Sequence, residues 1–226
     1  MLSCSNETAI LEVYFTRRFF NFQPATPQVL DHAFPNIKPS SICCLLLADR
    51  LDRDVIRPAN LTDASSLAAL GLEVWLNTYI RHGVNTFFAD YALAHFTAAR
   101  FEEIMARADQ TILVSQNAVG IDGFIQIASG APAPVPECSD LEIAKLYVQP
   151  RHQGSGAGGR LLDAGLRHCV STGRPNVWLA VNAENQRAME FYLRKGFAKA
   201  GETRFQIDRQ SYPNHVLRYD LALVAA

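Results

Sequence analysis

A glycine-rich loop between a predicted strand and a predicted helix is the segment of this sequence best suited to chemistry. The loop reads Gln153-Gly154-Ser155-Gly156-Ala157-Gly158, and it follows the mostly apolar stretch from Leu141 to Val148. Glycine has no Cβ, so an anion can approach its backbone N–H group closely. The helix behind the loop adds unpaired N–H groups and the positive end of its dipole. We therefore expect the loop to bind a phosphate or a pyrophosphate.

Two common kinds of phosphate-binding loop fit this segment poorly. The loop of nucleotide hydrolases ends in Gly-Lys-Ser or Gly-Lys-Thr, whereas Gly158-Gly159-Arg160 stands at that place. The dinucleotide-binding pattern GxGxxG is present from Gly154, but it should follow its strand directly and be answered by an acidic residue about 20 positions later. Here Gln149 to Gln153 intervene, and the next predicted strand, 177–181, is followed by Asn182.

A second motif, downstream of the loop, favours a third interpretation. It reads Asn185-Gln186-Arg187-Ala188-Met189-Glu190-Phe191-Tyr192-Leu193-Arg194-Lys195-Gly196-Phe197. The loop, preceded by Val148-Gln149-Pro150, and this second motif together resemble the GNAT superfamily of N-acetyltransferases. Its patterns are [Gln/Arg]-x-x-Gly-x-[Gly/Ala] and Asn-x-x-Ala-x-x-x-Tyr-x-[Lys/Arg]-x-Gly-Phe. The resemblance spans about residues 54 to 226 and is motif-specific from 141 to 197.

The pattern of apolar and turn-forming residues predicts an α+β domain. We expect strands at 55–59, 111–116, 121–129, 141–148, 177–181, 199–207 and 215–223, with one helical region at 86–108 and a helix capped by Thr62. The resemblance implies the GNAT arrangement: a mixed, mostly antiparallel sheet with helices on both faces. It also implies that the fourth and fifth strands splay apart to receive the pantetheine arm of CoA.

The resemblance also implies roles for individual residues. Tyr192 corresponds to the tyrosine that protonates the CoA thiolate, with core packing of its ring as the alternative. Glu142 matches the strand glutamate that serves as a base in some members, with a surface carboxylate as the alternative. Its strand parity with Ala144, Leu146 and Val148 predicts that it faces the same cleft as they do. The residues expected to bind acetyl-CoA are Leu146, Tyr147 and Val148 through their backbone, Gln153, Gly154, Ser155, Gly156, Ala157 and Gly158 at the pyrophosphate, and Asn185 at the pantetheine arm.

The acceptor site is predicted less specifically than the donor site. By resemblance it is lined by the first two helices and the last strands, where Trp75, Thr78, Tyr79, His82 and Tyr91 are candidates. A Trp and a Tyr four residues apart on a helix can equally pack in the core. The sequence contains no cluster of acidic residues that would single out a polyamine.

The composition and net charge of the chain limit the kinds of partner that it is expected to bind. The chain has 226 residues, of which 49% are hydrophobic and 19% charged, with a formal net charge of −1. This charge predicts no binding to nucleic acid or to an acidic membrane. The longest apolar run near the N-terminus, 42–48, is too short to span a bilayer. We therefore expect a cytoplasmic protein, and a homodimer is one of the open oligomeric states.

Metal and disulfide chemistry are not expected. The five cysteines form no CxxC pair, and the six histidines show no ligand spacing. Residues 1–52 contain four of the eleven prolines and no sustained period, so we predict a weakly ordered N-terminal extension before a catalytic domain at 53–226.

The sequence thus predicts an N-acetyltransferase that uses acetyl-CoA as co-substrate, needs no metal, and acts on a primary amine of a small molecule. Two alternatives stay open. One is acetylation of a protein N-terminus or lysine side chain, and the other is a non-catalytic acyl-CoA-binding module.

Overall fold

The computed structural model describes residues 55–80 and 82–223. The predicted N-terminal extension, 1–52, lies outside these described residues. Among them, no helix is long and apolar enough to cross a membrane.

A seven-stranded sheet organises the described chain. Its strands are β1 (Val55–Pro58), β2 (Gln110–Gln116), β3 (Ile121–Ser129), β4 (Leu141–Val148), β5 (Asn176–Asn182), β6 (Ala198–Ile207) and β7 (Gln210–Asp220). Their order across the sheet is β1-β2-β3-β4-β5-β7-β6. Among these seven described strands, only the central pair, β4 and β5, is parallel.

Within residues 55–80 and 82–223, five α-helices cover the two faces of the sheet: α1 (Ala64–Tyr79), α2 (Thr86–His95), α3 (Ala98–Met105), α4 (Ala157–Ser171) and α5 (Gln186–Arg194). Helices α1, α2 and α3 pack with Val114 and Phe124 in one buried cluster. Helices α4 and α5 pack with Ile125, Ile143 and Leu179 in a second cluster. The predicted α+β fold with helices on both faces is therefore confirmed.

The predicted helical region at 86–108 is two helices rather than one. Helix α2 ends at His95, and Thr97 begins α3 by accepting a hydrogen bond on its Oγ1 from the backbone N–H of Arg100 at 3.2 Å. This is an N-cap, in which a side-chain oxygen satisfies a helix N–H that has no partner within the helix. The prediction of one region was wrong because the cap at Thr97 was not recognised as a helix start.

The last strand starts earlier than predicted, at Gln210 instead of His215. Asp208, with a φ of 48°, makes the tight turn after β6, so that Gln210 pairs with Ile207 at once. Proline and polar residues are rare in strands, so Pro213 and its polar neighbours did not predict that the strand begins at Gln210. Pairing with β6 extends the strand to that residue.

Strands β4 and β5 separate soon after they meet. The register between them contains one pair, Glu142 with Trp178, whereas β4 pairs with β3 along its whole length. From Ile143 to Val148, the side of β4 that faces β5 lacks a regular ladder partner within the described chain. The splay that the resemblance implied is present.

Candidate active site

A cavity of about 1170 Å³ opens where β4 and β5 separate. Large ligand pockets reach about 1,000 Å³, so this cavity has room for a ligand of cofactor size and a second, smaller molecule. Of the twelve predicted site residues, all except Ser155 and Ala157 line it. The structure therefore brings together the glycine loop, the end of β4 and the start of α5.

The glycine loop has the backbone shape of an anion-binding site. Gly154 and Gly156 adopt φ angles of 92° and 90°, a left-handed region in which a Cβ is strained. Gly156 is the N-terminal cap of α4 and has no side chain to occupy the helix N–H groups. The N–H groups at the start of an α-helix have no acceptor within the helix, so the N-terminus of α4 can receive an acceptor from outside.

Gln153 holds the loop against its neighbours. Its Nε2 donates to the backbone oxygen of Val148 at 3.2 Å, and its Oε1 accepts from Nη1 of Arg187 at 3.0 Å. The side chain thus connects the end of β4 to α5, and both Gln153 and Arg187 line the cavity. In this arrangement Gln153 positions the loop.

Basic side chains surround the loop end of the cavity. They are Arg160 on α4, Arg187 and Arg194 on α5, and Lys195 directly after it. Lys195 forms an ion pair of 2.9 Å with Asp163, the one acidic residue of this end among the described lining residues. Positive charge and free N–H groups together suit a pyrophosphate. Arg187 stands at an unspecified position of the motif, so the motif did not predict its place in the cavity.

Tyr192 projects from α5 into the core beside the cavity. It is 9% exposed, and its ring contacts those of Phe191 and Phe197 at centroid distances of 5.1 and 5.4 Å. Burial raises the pKa of the phenol above its ordinary value of 10. The hydroxyl therefore stays protonated at neutral pH, as a proton donor must.

Asn185 caps helix α5 and lines the cavity. Its Oδ1 accepts from the backbone N–H of Ala188 at 3.1 Å. The cap uses the oxygen of the side-chain amide. The NH₂ group remains available to a ligand in the cavity.

A β-bulge in β4 changes which side chains face each other. Gln126 of β3 pairs with Lys145, but Ile127 pairs with Ile143, so Ala144 is an extra residue in β4. A bulge of this kind shifts the alternation of side chains by one position. Glu142, Lys145 and Tyr147 therefore share the face of α1 to α3, while Ile143 and Leu146 pack with α4 and α5.

The predicted parity of Glu142 with Leu146 and Val148 was consequently wrong. Glu142 still lines the cavity, but from the opposite face of the sheet. Burial raises the pKa of its carboxyl above the usual 4.5, and the nearby ammonium of Lys145 opposes this rise. A carboxylate with a raised pKa is a stronger base than an exposed one.

Aromatic residues line the cavity on the side of α1 and α2. Tyr79, Tyr91 and Phe205 are partly exposed there, and Trp75 lies behind them with its ring 5.1 Å from that of Tyr91. Thr78 lines the cavity as well, whereas His82 does not. The lining also contains polar residues that the sequence analysis did not single out: Arg100, Gln110, Gln126, Lys145, Asn182 and Asn214.

Comparison with protein families agrees with this geometry. The family model described as "Acetyltransferase (GNAT) family" matches residues 78–197. The chain belongs to the GNAT family of acetyltransferases. It is therefore an acyltransferase, and the motifs at Gln153 and Tyr192 lie within the matched range.

Several known proteins are similar to part of this GNAT protein. An uncharacterized N-acetyltransferase of Mycobacterium tuberculosis is 29% identical over 161 residues, 71% of this chain and 99% of the relative. A mycothiol acetyltransferase of Streptomyces avermitilis is 44% identical over 57 residues, 25% of this chain and 18% of that protein. The PaiA N-acetyltransferase of Thermoplasma acidophilum, solved in complex with coenzyme A, aligns with a TM-score of 0.59 at 17% identity over 74% of this chain and 99% of that one.

The described cysteines of this GNAT protein are poor nucleophiles. Cys138 and Cys169 are both buried, and neither lines the cavity. Burial raises the pKa of the Cys169 thiol to about 12, so it carries almost no thiolate at neutral pH. The geometry therefore favours direct transfer over an acyl-cysteine intermediate at either residue.

Proposed function

We propose that this protein transfers the acetyl group of acetyl-CoA directly to the primary amine of a small molecule. The observation that carries the proposal is the separation of β4 from β5 beside the glycine loop. Unpaired N–H and C=O groups along a strand edge bind an extended amide chain as an additional strand would. Pantetheine is such a chain, and it would place its thioester between the two strands.

The residues present suit two parts of the donor, its pyrophosphate and its pantetheine arm. The pyrophosphate would bind at the N–H groups of Gly154, Gly156 and Gly158, with Arg187 near it. The pantetheine arm would pair with the backbone of Leu146, Tyr147 and Val148, and with the NH₂ group of Asn185.

Direct transfer requires two proton movements, and two side chains suit them. A free alkylamine has a pKa near 10, so only about one molecule in a thousand is unprotonated at neutral pH. Glu142 would accept the proton of the attacking amine, directly or through one water. The C–N bond then forms while the C–S bond breaks, and Tyr192 donates its hydroxyl proton to the leaving thiolate.

Charge that builds on the thioester oxygen also needs a hydrogen-bond donor. The backbone N–H of Leu146 is our candidate, since a fixed N–H group in a dry site stabilises such a charge without reorganisation. The cavity has room for the acceptor next to this point, on the side of the aromatic residues.

Three measurements on the purified protein test the proposal. Calorimetry should detect acetyl-CoA binding, and release of free thiol should require an added amine from a panel of small amines, amino acids, aminoglycosides and peptides. Mass spectrometry should find an acetylated small amine. Thiol release with peptides alone would instead indicate a protein acetyltransferase, and binding without release from any amine would indicate a binding module.

A further inference from the structure

Lys145 is a cation within the cavity that the proposed chemistry does not use. It lies on β4 directly before Leu146, lines the cavity, and is partly buried. Its Nζ donates to Oε1 of Gln126 at 2.9 Å, and Nε2 of Gln126 donates to Oε1 of Gln110 at 2.8 Å. This chain of amides holds the ammonium in one place.

Lys145 forms no direct ion pair with a carboxylate of the described chain. No carboxylate oxygen of the described residues lies within 4.0 Å of its Nζ. Burial lowers the pKa of this ammonium; Glu142 partly offsets the effect, and Arg100 adds to it by repulsion. An ammonium has three donors, and the protein occupies one of them. A partly buried cation without a direct ion-pair partner is costly, so an anion bound here would be stabilised.

Arg100 supplies a second cation on the same wall. It reaches the cavity from α3, and its Nη1 also contacts Oε2 of Glu103 at 2.8 Å in an exposed ion pair. Exposed pairs of this kind are weak, so Arg100 can still turn toward an anion in the cavity. The two cations come from different elements, and they are close enough for the charge of Arg100 to act on Lys145.

The neighbouring wall is aromatic. The rings of Tyr79 and Phe205 lie 6.1 Å apart, and those of Tyr91 and Phe205 lie 5.9 Å apart. Such partly exposed rings favour contact with an apolar or aromatic skeleton. A ligand that fits this half of the cavity therefore has an apolar body and one anionic group. The anionic group lies next to the amine that reacts.

We propose that the acceptor is an amino acid with an apolar or aromatic side chain, whose carboxylate binds Lys145 and Arg100 while its amine faces Glu142. This inference rests on the proposed function. Because Lys145 directly precedes Leu146, the carboxylate and the reacting amine must be close together in the acceptor. An α-amino acid meets that condition. Glu142 and Lys145 then form a pair of opposite charges complementary to the zwitterion.

Matched pairs of amines test the inference. Phenylalanine is compared with 2-phenylethylamine, and tryptophan with tryptamine, so that each pair differs only in the carboxylate. One or two charge-assisted hydrogen bonds correspond to a preference of about 10- to 100-fold in kcat/KM for the acid. Equal rates, or faster acetylation of the amines without a carboxylate, would overturn the inference while leaving the proposed function intact.

The variant Lys145→Met tests whether Lys145 causes the preference for an acceptor with a carboxylate. In Lys145→Met the ratio of the two kcat/KM values should fall toward one, mainly through the KM of the acid. Lys199→Met is the control, because Lys199 is exposed, pairs with Glu202 and does not line the cavity. A preference that persists in Lys145→Met would remove Lys145 from acceptor binding. Acetyl-CoA affinity and the unfolding temperature confirm that each variant is folded.

A binding measurement separates this inference from the proposed function. Calorimetry compares N-acetylphenylalanine with N-(2-phenylethyl)acetamide in the presence of CoA, and the acid should bind about tenfold more tightly or better. Equal affinity of the two would count against recognition of the carboxylate. Absence of acetyl transfer to every amine, with the acid still bound through Lys145, would instead refute the enzymatic proposal alone.

Discussion

Glu142 and Lys145 lie on the same face of β4 although an odd number of positions separates them. In a regular strand they would point to opposite faces, and the extra residue Ala144 brings them together. Their opposite charges affect each other's pKa in the cavity. The bulge thus places the proposed base and the proposed carboxylate-binding residue on one wall, beside the point where the thioester is expected.

Replacing Tyr192 with phenylalanine should lower kcat by about 100-fold, since general acid catalysis contributes about 10²- to 10⁴-fold. The affinity for acetyl-CoA should stay nearly unchanged. Steady-state kinetics and calorimetry measure the two effects. Tyr219→Phe is the control, because Tyr219 contacts Phe197 but does not line the cavity. An unchanged kcat in Tyr192→Phe would exclude the hydroxyl from the mechanism.

The pH dependence of kcat/KM should reveal Glu142. The base is active when it is deprotonated, so the rate should rise with pH through the pKa of this carboxyl, which lies above 4.5. In Glu142→Gln this rise should disappear and the rate at neutral pH should fall by about 10- to 100-fold. Glu102→Gln, at an exposed position on α3, should keep the wild-type profile. An identical profile for Glu142→Gln would assign the base elsewhere.

Valine at Gly156 should abolish binding of acetyl-CoA, because a side chain there would cover the N–H groups at the start of α4. Calorimetry and thermal unfolding should be compared with Gly173→Val. Gly173 has a φ of 73° beyond the other end of the same helix and does not line the cavity. Both variants carry the backbone strain of a left-handed position, so only the loss at Gly156 reports on the ligand. Retained binding would mean that the pyrophosphate lies elsewhere.

Alanine at Gly123 should destabilise the fold by about 1–3 kcal/mol through overpacking. A Cβ at this position of β3 would lie 2.9 Å from the backbone oxygen of Tyr147 and 2.9 Å from Cδ1 of Leu161. Urea unfolding measures the effect. Gly120→Ala is the matched control, since a Cβ there meets no atom within 4 Å. Equal stability of the two variants would show that β3 and α4 can move apart without cost.

The ion pair between Arg57 and Asp63 should stabilise the start of α1. Two hydrogen bonds of 2.7 and 2.9 Å join the side chains, and the backbone N–H of Asn60 donates to Asp63 at 2.8 Å. We expect Asp63→Asn to cost about 2 kcal/mol near neutral pH. The bond from Arg57 lowers the pKa of Asp63 below 3.8. Its stabilisation is therefore present above the unfolded pKa, and it is lost as pH falls through the lower, folded value.

Urea unfolding as a function of pH checks the predicted direction of this pH dependence of stability. The difference between the wild-type protein and Asp63→Asn should shrink below about pH 3.8. Asp109→Asn, in the exposed pair with Arg107, should leave stability nearly unchanged, because exposed ion pairs contribute little. A constant difference down to the lowest pH would contradict the assigned pKa shift.

Local sequence patterns correctly predicted those elements whose conformation depends mainly on their own residues. The bounds of β4, Leu141–Val148, agree with the prediction, because apolar and β-branched residues end there at Gln149-Pro150. The hairpin of β2 and β3 was also predicted, and Asn117 closes it by accepting hydrogen bonds from the N–H groups of Val119 and Gly120. Such turns depend on side-chain chemistry within a few residues.

Pairing between distant strands determined features that local sequence patterns could not predict, namely side-chain direction and the start of a strand. Lys145 stands in a strand of mostly apolar residues, which could have marked it as a cavity residue, but the face to which it points depends on the register with β3. The start of β7 likewise depends on its pairing with β6. Arg100 and Gln110 reach the cavity from elements that local sequence does not connect to β4.

The sequence by itself determined the family and the place of the donor loop, because both rest on contiguous motifs around Gly156 and Tyr192. Only the tertiary structure decided the faces of Glu142 and Lys145. The physical reason is that alternation along a strand holds only until a bulge interrupts it, and the bulge at Ala144 shows only in the pairing of β4 with β3. The inference about the acceptor therefore depends on the tertiary structure and could not have been drawn from the sequence.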